Sequence, residues 1–262
     1  TQKIFKNKGE PNILEKENEA IWIHQKKIIK FSTDSTFIKN RSKRSKILKN
    51  YVPNVIGVKK NMYIYNRAEG QVFSNIINLS LFKKFLEVCE KFWKKRKLNK
   101  KDRKKFVDKC HQFYHDKTII RINEFFKNFK KKDKSETING NKTSKITKLL
   151  KRVDWKDLSN GHSGRFHGDF HFENILWQKN KKKFVFLDWR QDFCGNLQVG
   201  DIYYDLAKLL HGMIVSHEMV QKNDFSIKWT DKKIVYNFKR KKILKEVESQ
   251  FRDWCVNKNY SF

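Results

Sequence analysis

The sequence predicts an α+β protein with a small β-rich N-terminal part and a mainly helical C-terminal part. In the first 66 residues, short runs rich in β-branched and aromatic side chains are separated by polar turns, a pattern that favours strands. After residue 70, apolar residues recur at helical spacing over much longer stretches. These two patterns, in this order along the chain, predict the fold class.

The N-terminal part contains four predicted strands and one predicted helix. The strands cover residues 20–23, 27–31, 55–58 and 62–65. The helix covers residues 36–49 between the two strand pairs, and Thr33 or Ser35 is expected to cap it. The polar segment 68–70 then marks the change from strand-like to helical pattern.

The C-terminal part is expected to hold long helices around one segment of strands and loops. The helices are predicted over residues 76–97, 103–130, 201–219 and 239–256. Residues 130–145 have no periodicity and are expected to form an exposed loop. The intervening residues 166–190 alternate short apolar runs with polar groups, as strands and functional loops do.

The composition indicates a folded chain in a reducing compartment. The chain has 262 residues, of which 38% are hydrophobic and 14% aromatic, so it can bury a core and is not a disordered chain. No apolar run approaches the roughly 18 residues of a membrane-spanning helix, and no secretory signal opens the sequence. Four scattered cysteines without a CxxC pair agree with a cytoplasmic location.

The formal net charge of +32 suggests an anionic partner but does not favour a specific nucleic acid. The basic residues are 49 lysines and only 11 arginines, spread over the whole chain. Arginine makes the bidentate contacts that nucleic-acid recognition favours, and lysine-rich composition can follow from A/T-rich codons. We therefore expect no specific nucleic-acid partner, although the field attracts small anions such as nucleotides.

The densest functional signal is FHGDFHFENIL at residues 166–176, which places Asp169 five residues before Asn174. An apolar strand at residues 184–187 then delivers Asp188 at its end. Phosphoryl transfer needs one carboxylate to orient the attacking hydroxyl, together with an amide oxygen and a second carboxylate to hold Mg²⁺. These three residues supply that set in a suitable order.

Three ordered motifs, HGDFHFEN, FLDW and GDIYYDLAKL, resemble those of the aminoglycoside phosphotransferase and choline kinase family. The resemblance implies a two-lobed protein-kinase-like fold that uses ATP and Mg²⁺. It divides the chain into a nucleotide-binding lobe at residues 1–66, a hinge at 67–70 and a helical lobe at 71–262. The chain starts at Thr1 rather than Met, and family members usually have further C-terminal helices. Truncation of either lobe therefore stays open as an alternative.

The resemblance also implies a role for each motif residue. Asp169 becomes the catalytic base, or the group that orients the acceptor hydroxyl, and Asn174 and Asp188 become the magnesium ligands. His167 and Asp201 become structural supports of the site, the latter by tying the following helix to the backbone of the catalytic loop.

Lys30, in the second predicted strand, resembles the lysine that contacts the α- and β-phosphates of the nucleotide. Two features depart from the family pattern. No acidic residue lies between Ser35 and Ala68, so Asp34 is the only nearby candidate for the usual acidic partner of this lysine. No glycine-rich loop precedes Lys30 either, since Gly9 is the only glycine before it.

The expected activity is transfer of the γ-phosphoryl group of ATP to a hydroxyl of a sugar, an amino sugar or an amino alcohol. A protein substrate is disfavoured because the sequence has HGD in place of HRD and only twelve residues between Asp188 and Asp201. Two alternatives stay open: a catalytically inactive kinase-like protein, and a protein that binds polyanions through charge alone.

Overall fold

The computed structural model describes residues 12–230 and 233–261, so Gly9 lies outside the described residues. The chain divides into two compact units. Unit 1 comprises the chain up to Arg96 together with Gly164–Leu209, and unit 2 comprises Lys97–Ser163 together with the chain from Leu210 onward. The expected boundaries of two lobes, at residues 66 and 70, remain a prediction.

The described residues form fourteen strands and ten α-helices, supplemented by short 3₁₀ and π-helical turns. The strands are β1 (Asn12–Glu15), β2 (Glu19–His24), β3 (Lys27–Ser32), β4 (Val55–Lys59), β5 (Met62–Asn66), β6 (Gln71–Val72), β7 (Glu136–Ile138), β8 (Asn141–Thr143), β9 (Ser163–Gly164), β10 (Ile175–Gln178), β11 (Lys183–Phe186), β12 (Gly200–Asp201), β13 (Phe225–Trp229) and β14 (Ile234–Phe238). The helices are α1 (Ser35–Ile47), α2 (Phe73–Ile76), α3 (Leu79–Trp93), α4 (Lys100–His111), α5 (Lys117–Asn128), α6 (Ile146–Leu150), α7 (Trp155–Ser159), α8 (Ile202–Ile214), α9 (His217–Gln221) and α10 (Lys242–Asn257). The predicted α+β class, with a β-rich N-terminal region and a helical C-terminal part, is confirmed.

The N-terminal strands form one antiparallel sheet in the order β1-β2-β3-β5-β4. All four strands predicted in this region are present. Lys30 lies in the central strand β3, opposite Ile21 on one side and Tyr63 on the other. Because side chains alternate along a strand, Lys30 shares the buried face of β3 with Ile28 and Ser32.

Helix α1 begins one residue after Asp34, which is its N-cap. The Asp34 carboxylate accepts hydrogen bonds from the backbone N–H groups of Thr36 at 2.8 Å and Phe37 at 3.1 Å. The expected cap at Thr33 or Ser35 is therefore wrong, because Asp34 has the extended backbone that a cap requires and an anionic acceptor. The Asp34 carboxylate is therefore hydrogen-bonded to the first turn of α1.

An aromatic cluster forms the core of unit 1, around the three-stranded sheet β11-β10-β6 and helix α3. The ring of Phe85 lies 5.0 Å from that of Phe73, 5.3 Å from Phe184 and 5.6 Å from Phe170, measured between centroids. Phe85 is fully buried. The cluster joins the helix to the strands and loop that carry the predicted site residues.

In unit 2, the single helix predicted over residues 103–130 is α4 followed by α5, joined by a π-helical turn over Gln112–Asp116. The segment expected to be a loop contains the hairpin β7–β8 instead. Its turn is Asn139-Gly140, and both residues have positive φ, at 47° and 83°. Asn-Gly is a strong hairpin signal, so the expectation of a loop is wrong because the turn dipeptide outweighs the polar flanks.

The hairpin continues into a four-stranded sheet in the order β13-β14-β7-β8. Strands β13 and β14 pair antiparallel, and β14 pairs parallel with β7. These two strands were not predicted, and they are mostly exposed. Among the described residues, no helix combines the length and the apolar character that crossing a bilayer requires.

We predict that Phe85→Ala lowers the free energy of unfolding by about 3–5 kcal/mol, because it leaves a cavity among the rings of Phe73, Phe184 and Phe170. Urea unfolding followed by tryptophan fluorescence measures this change. Lys84→Ala, one residue away on the exposed face of α3, is the matched control and is expected to change stability by less than about 0.5 kcal/mol. Equal stability of the two variants would contradict the assigned core.

Candidate active site

The loop over residues 166–174, here called the HGD loop, holds Asp169 between two basic side chains. Lys208 Nζ, from α8, lies 2.8 Å from Asp169 Oδ1, and His171 Nε2 lies 3.5 Å from Oδ2. Burial raises the pKa of Asp169, but the hydrogen bonds from His171 and Lys208 outweigh it and hold the pKa below its ordinary value. Asp169 is therefore a fixed, ionised carboxylate at neutral pH.

His171 is itself held by two acids. Its Nδ1 lies 3.0 Å from Glu173 Oε2, on the side of the ring opposite Asp169. Burial lowers the pKa of His171, but the two carboxylates raise it more, to about 9. His171 is thus a cation at neutral pH.

Asn174 closes the HGD loop immediately before β10. Its side-chain Nδ2 donates to the Asp169 carbonyl oxygen at 2.9 Å and approaches Asp169 Oδ2 at 3.2 Å. Within the described residues, no hydrogen bond reaches Asn174 Oδ1. The Leu187 N–H donates to the Asn174 carbonyl at 2.7 Å, which brings the backbone of Asn174 next to the residue before Asp188.

Asp188 follows β11 with a left-handed backbone, at φ 56°. A non-glycine residue in this region costs about 1–3 kcal/mol, and such strain is concentrated at functional sites. Its Oδ1 forms an ion pair with Lys30 and lies 3.5 Å from Arg41 Nη1. Burial, and after it the charge of Arg41, lowers the pKa of Lys30 well below its ordinary value.

The two residues expected to support the site are both buried. The Asp201 carboxylate accepts from the Tyr203 N–H at 3.1 Å, at the start of α8. His167 Nδ1 accepts from the Asp169 N–H at 3.3 Å. Burial lowers the pKa of His167 to about 3, against the opposing effect of Asp169, so the ring is neutral.

Arg44 of α1 is a residue that the sequence analysis did not identify. It is completely buried, and its guanidinium donates to backbone carbonyls of the HGD loop and of the segment after Asp188. The bonds go to Leu197 at 3.1 Å, to His167 at 3.4 Å, and to Phe166 and Arg190. Burial lowers the pKa of Arg44 to about 9, so it is still charged at neutral pH.

Asp205 was also missed, although it lies in the third quoted motif. Its carboxylate accepts from the N–H groups of His167 and Gly168, both at 2.7 Å, and from Trp93 Nε1 at 3.0 Å. Asp205 thus makes the contact with the loop backbone that the resemblance implies for Asp201, whose own role stays a prediction. The motif shows an acid at both positions, so spacing alone did not distinguish them.

The loop geometry depends on one glycine. Gly168 has φ 90°, and a Cβ added to it would lie 2.5 Å from Arg190 Cβ. The backbone of the HGD loop therefore passes too close to the segment after Asp188 for any larger residue.

The residues present fit a magnesium ion. Asn174 supplies an amide oxygen and Asp188 a carboxylate, and the hydrogen bond from the Leu187 N–H to the Asn174 carbonyl brings the two backbone segments together. Amide and carboxylate oxygens are the protein ligands that Mg²⁺ prefers. Asn174 and Asp188 are thus the residues that would hold the ion.

Comparison with known proteins gives a family match over part of the chain. Residues 123–223, less than half of the chain, match the family described as the phosphotransferase enzyme family. This span includes the HGD loop, Asp188 and Asp201. The resemblance inferred from the three motifs is therefore confirmed over this segment. None of the curated proteins matches the sequence.

Several solved structures of phosphotransferases and kinases are similar to this chain at low identity. Ethanolamine kinase from Plasmodium vivax has 17% identity and a TM-score of 0.44, over 80% of this chain and 63% of the kinase. Macrolide 2′-phosphotransferase MphH from Brachybacterium faecium has 10% identity and a TM-score of 0.45, over 99% and 80%. The chain thus spans less than two thirds of the length of the ethanolamine kinase.

We predict that Arg44→Met lowers the free energy of unfolding by about 3–5 kcal/mol, because four carbonyls and Asp205 lose a buried cation. Chemical unfolding measures the change. Lys43→Met is the matched control, since Lys43 is the exposed neighbour on the same helix. A stability of Arg44→Met within about 0.5 kcal/mol of the wild type would contradict the assigned role of Arg44.

We also predict a pH dependence of stability that comes from His167. Its pKa is about 3 in the folded chain and about 6.5 when unfolded. The unfolded state binds more protons between these values, so stability falls as the pH is lowered below about 6.5. From pH 7.5 to pH 5 this contribution is about 2 kcal/mol. Urea unfolding of the wild type and of His167→Gln at both pH values measures how much stability each protein loses on acidification. The loss should be about 2 kcal/mol smaller in His167→Gln than in the wild type. An equal loss in both proteins would contradict the prediction.

Proposed function

We propose that this protein transfers the γ-phosphoryl group of ATP to a hydroxyl of a small molecule, namely a sugar, an amino sugar or an amino alcohol. The observation that carries the proposal is the ion pair between Lys30 and Asp188. It joins a buried lysine of the central strand to a carboxylate that follows β11, and these are the groups that phosphate and metal binding require. The family match supports the same reaction class.

Asp169 would orient the acceptor hydroxyl. Its Oδ1 contacts Lys208 and has a second lone pair that can accept the substrate O–H, whereas Oδ2 already contacts His171 and Asn174. Because these cations hold its pKa low, Asp169 is a weak base before the reaction. Its main contribution is to fix the direction of the hydroxyl, and it takes the proton as the new O–P bond forms.

Lys30 would bind the phosphates of ATP. The negative charge of the polyphosphate would neutralise Lys30, either in place of the Asp188 carboxylate or together with it. Mg²⁺ held by Asn174 and Asp188 would neutralise negative charge on the phosphate oxygens. The implied use of ATP is consistent with a cytoplasmic reaction.

The test is ADP release from Mg-ATP with a panel of sugars, amino sugars, choline and ethanolamine. We predict that one acceptor class stimulates release and that Asp169→Asn lowers the stimulated rate by roughly 10²- to 10⁴-fold, the usual contribution of a general base. Asp108→Asn makes the same chemical change on the exposed face of α4 and is expected to keep the wild-type rate.

Two results would contradict the proposal. Stimulated release that is equal in Asp169→Asn and the wild type would exclude Asp169 from the reaction. Absence of acceptor-dependent release, with polyanion binding that weakens steeply in salt, would favour a protein that binds through its charge.

A further inference from the structure

Helix α1 presents an arginine to Lys30 and Asp188, where the family pattern has an acid. The sequence of α1 contains no Asp or Glu, and Asp34 is engaged as its N-cap. Arg41 Nη1 instead lies 3.5 Å from Asp188 Oδ1, the same oxygen that pairs with Lys30. One carboxylate therefore faces two cations, which leaves an excess of positive charge.

The side chain and the backbone of Arg41 are both held in place by neighbouring groups, although most of the N–H donors of its guanidinium make no hydrogen bond within the described residues. Its side chain is only 13% exposed, and its guanidinium lies over the ring of Phe37 at 4.5 Å. Trp189 Nε1 donates to the Arg41 carbonyl at 2.9 Å, which fixes the helix backbone beside Asp188.

The side-chain contacts of Arg41 are few. Nη1 reaches Tyr63 Oη and Asp188 Oδ1 at 3.5 Å each, and Nε is buried with no hydrogen-bond partner in the described residues. A guanidinium has five N–H donors, and buried donors without acceptors are unfavourable. A ligand with several anionic oxygens would provide those acceptors and balance the excess charge.

We propose that Arg41 is a second phosphate-binding residue, which together with Lys30 binds the polyphosphate of the nucleoside triphosphate. The inference rests on the proposed function for the identity of the anion. Arginine suits this position because its planar guanidinium donates two parallel hydrogen bonds to phosphate oxygens, whereas lysine acts as a point charge.

The experiment measures the affinity of the whole chain for ATP and for adenosine by calorimetry, with Mg²⁺ present. We expect Arg41→Met to weaken ATP binding by roughly 10- to 100-fold, as loss of charged hydrogen bonds does, and to leave adenosine binding unchanged. Arg41→Lys should recover part of the ATP affinity, because it restores the charge without the bidentate geometry. Lys43→Met, the exposed control on α1, should bind both ligands as the wild type does.

The outcomes separate this inference from the proposed function. Equal ATP affinity in Arg41→Met and the wild type would overturn the inference. An equal loss of ATP affinity and adenosine affinity in Arg41→Met would also overturn it, because that result indicates a structural role for Arg41. Wild-type chain that binds ATP through Arg41 but shows no acceptor-dependent turnover would support the inference and overturn the proposed function. A wild-type chain that binds no ATP would overturn both.

Discussion

The buried guanidinium of Arg44 is the interaction on which the site depends. A charged group cannot be buried without partners, and each hydrogen-bond acceptor of Arg44 among the described residues is a backbone carbonyl of the HGD loop or of the segment after Asp188. The arginine thus fixes two loops relative to α1 at once. Asp205 holds the same loop from the other side through backbone N–H groups, so the loop is bound by a cation at its carbonyls and by an anion at its amides.

Charge is distributed differently around the two reactive carboxylates. Asp169 is surrounded by Lys208 and by a His171 that Glu173 keeps protonated, so its environment is nearly balanced without a ligand. Asp188 faces Lys30 and Arg41, and there the positive charge is in excess. The first arrangement suits a neutral acceptor hydroxyl, and the second suits a polyanion. The overall charge of +32 says nothing about this difference, because most lysines lie on the surface.

Much of the fold could be predicted because it follows from local pattern. The strands β2, β3, β4 and β5 were found from runs of β-branched and aromatic residues, and the long helices from apolar spacing. The hairpin β7–β8 was missed because its strands are only three residues long and mostly polar. The strands β13 and β14 were missed although β13 alternates between apolar and polar residues, in the sequence FSIKW. For β7–β8 the Asn139-Gly140 turn was a usable local signal.

By itself, the sequence determined that Asp169 and Asn174 share one loop, since five residues cannot separate them far, and that Asp188 follows a strand closely. Only the tertiary structure decided which distant residues meet them. Lys208, Arg44 and Arg41 are each far from their partners along the chain, and lysine is so common here that Lys208 does not stand out. Pairing over such separations depends on how helices and strands pack, and packing leaves no fixed spacing in the sequence.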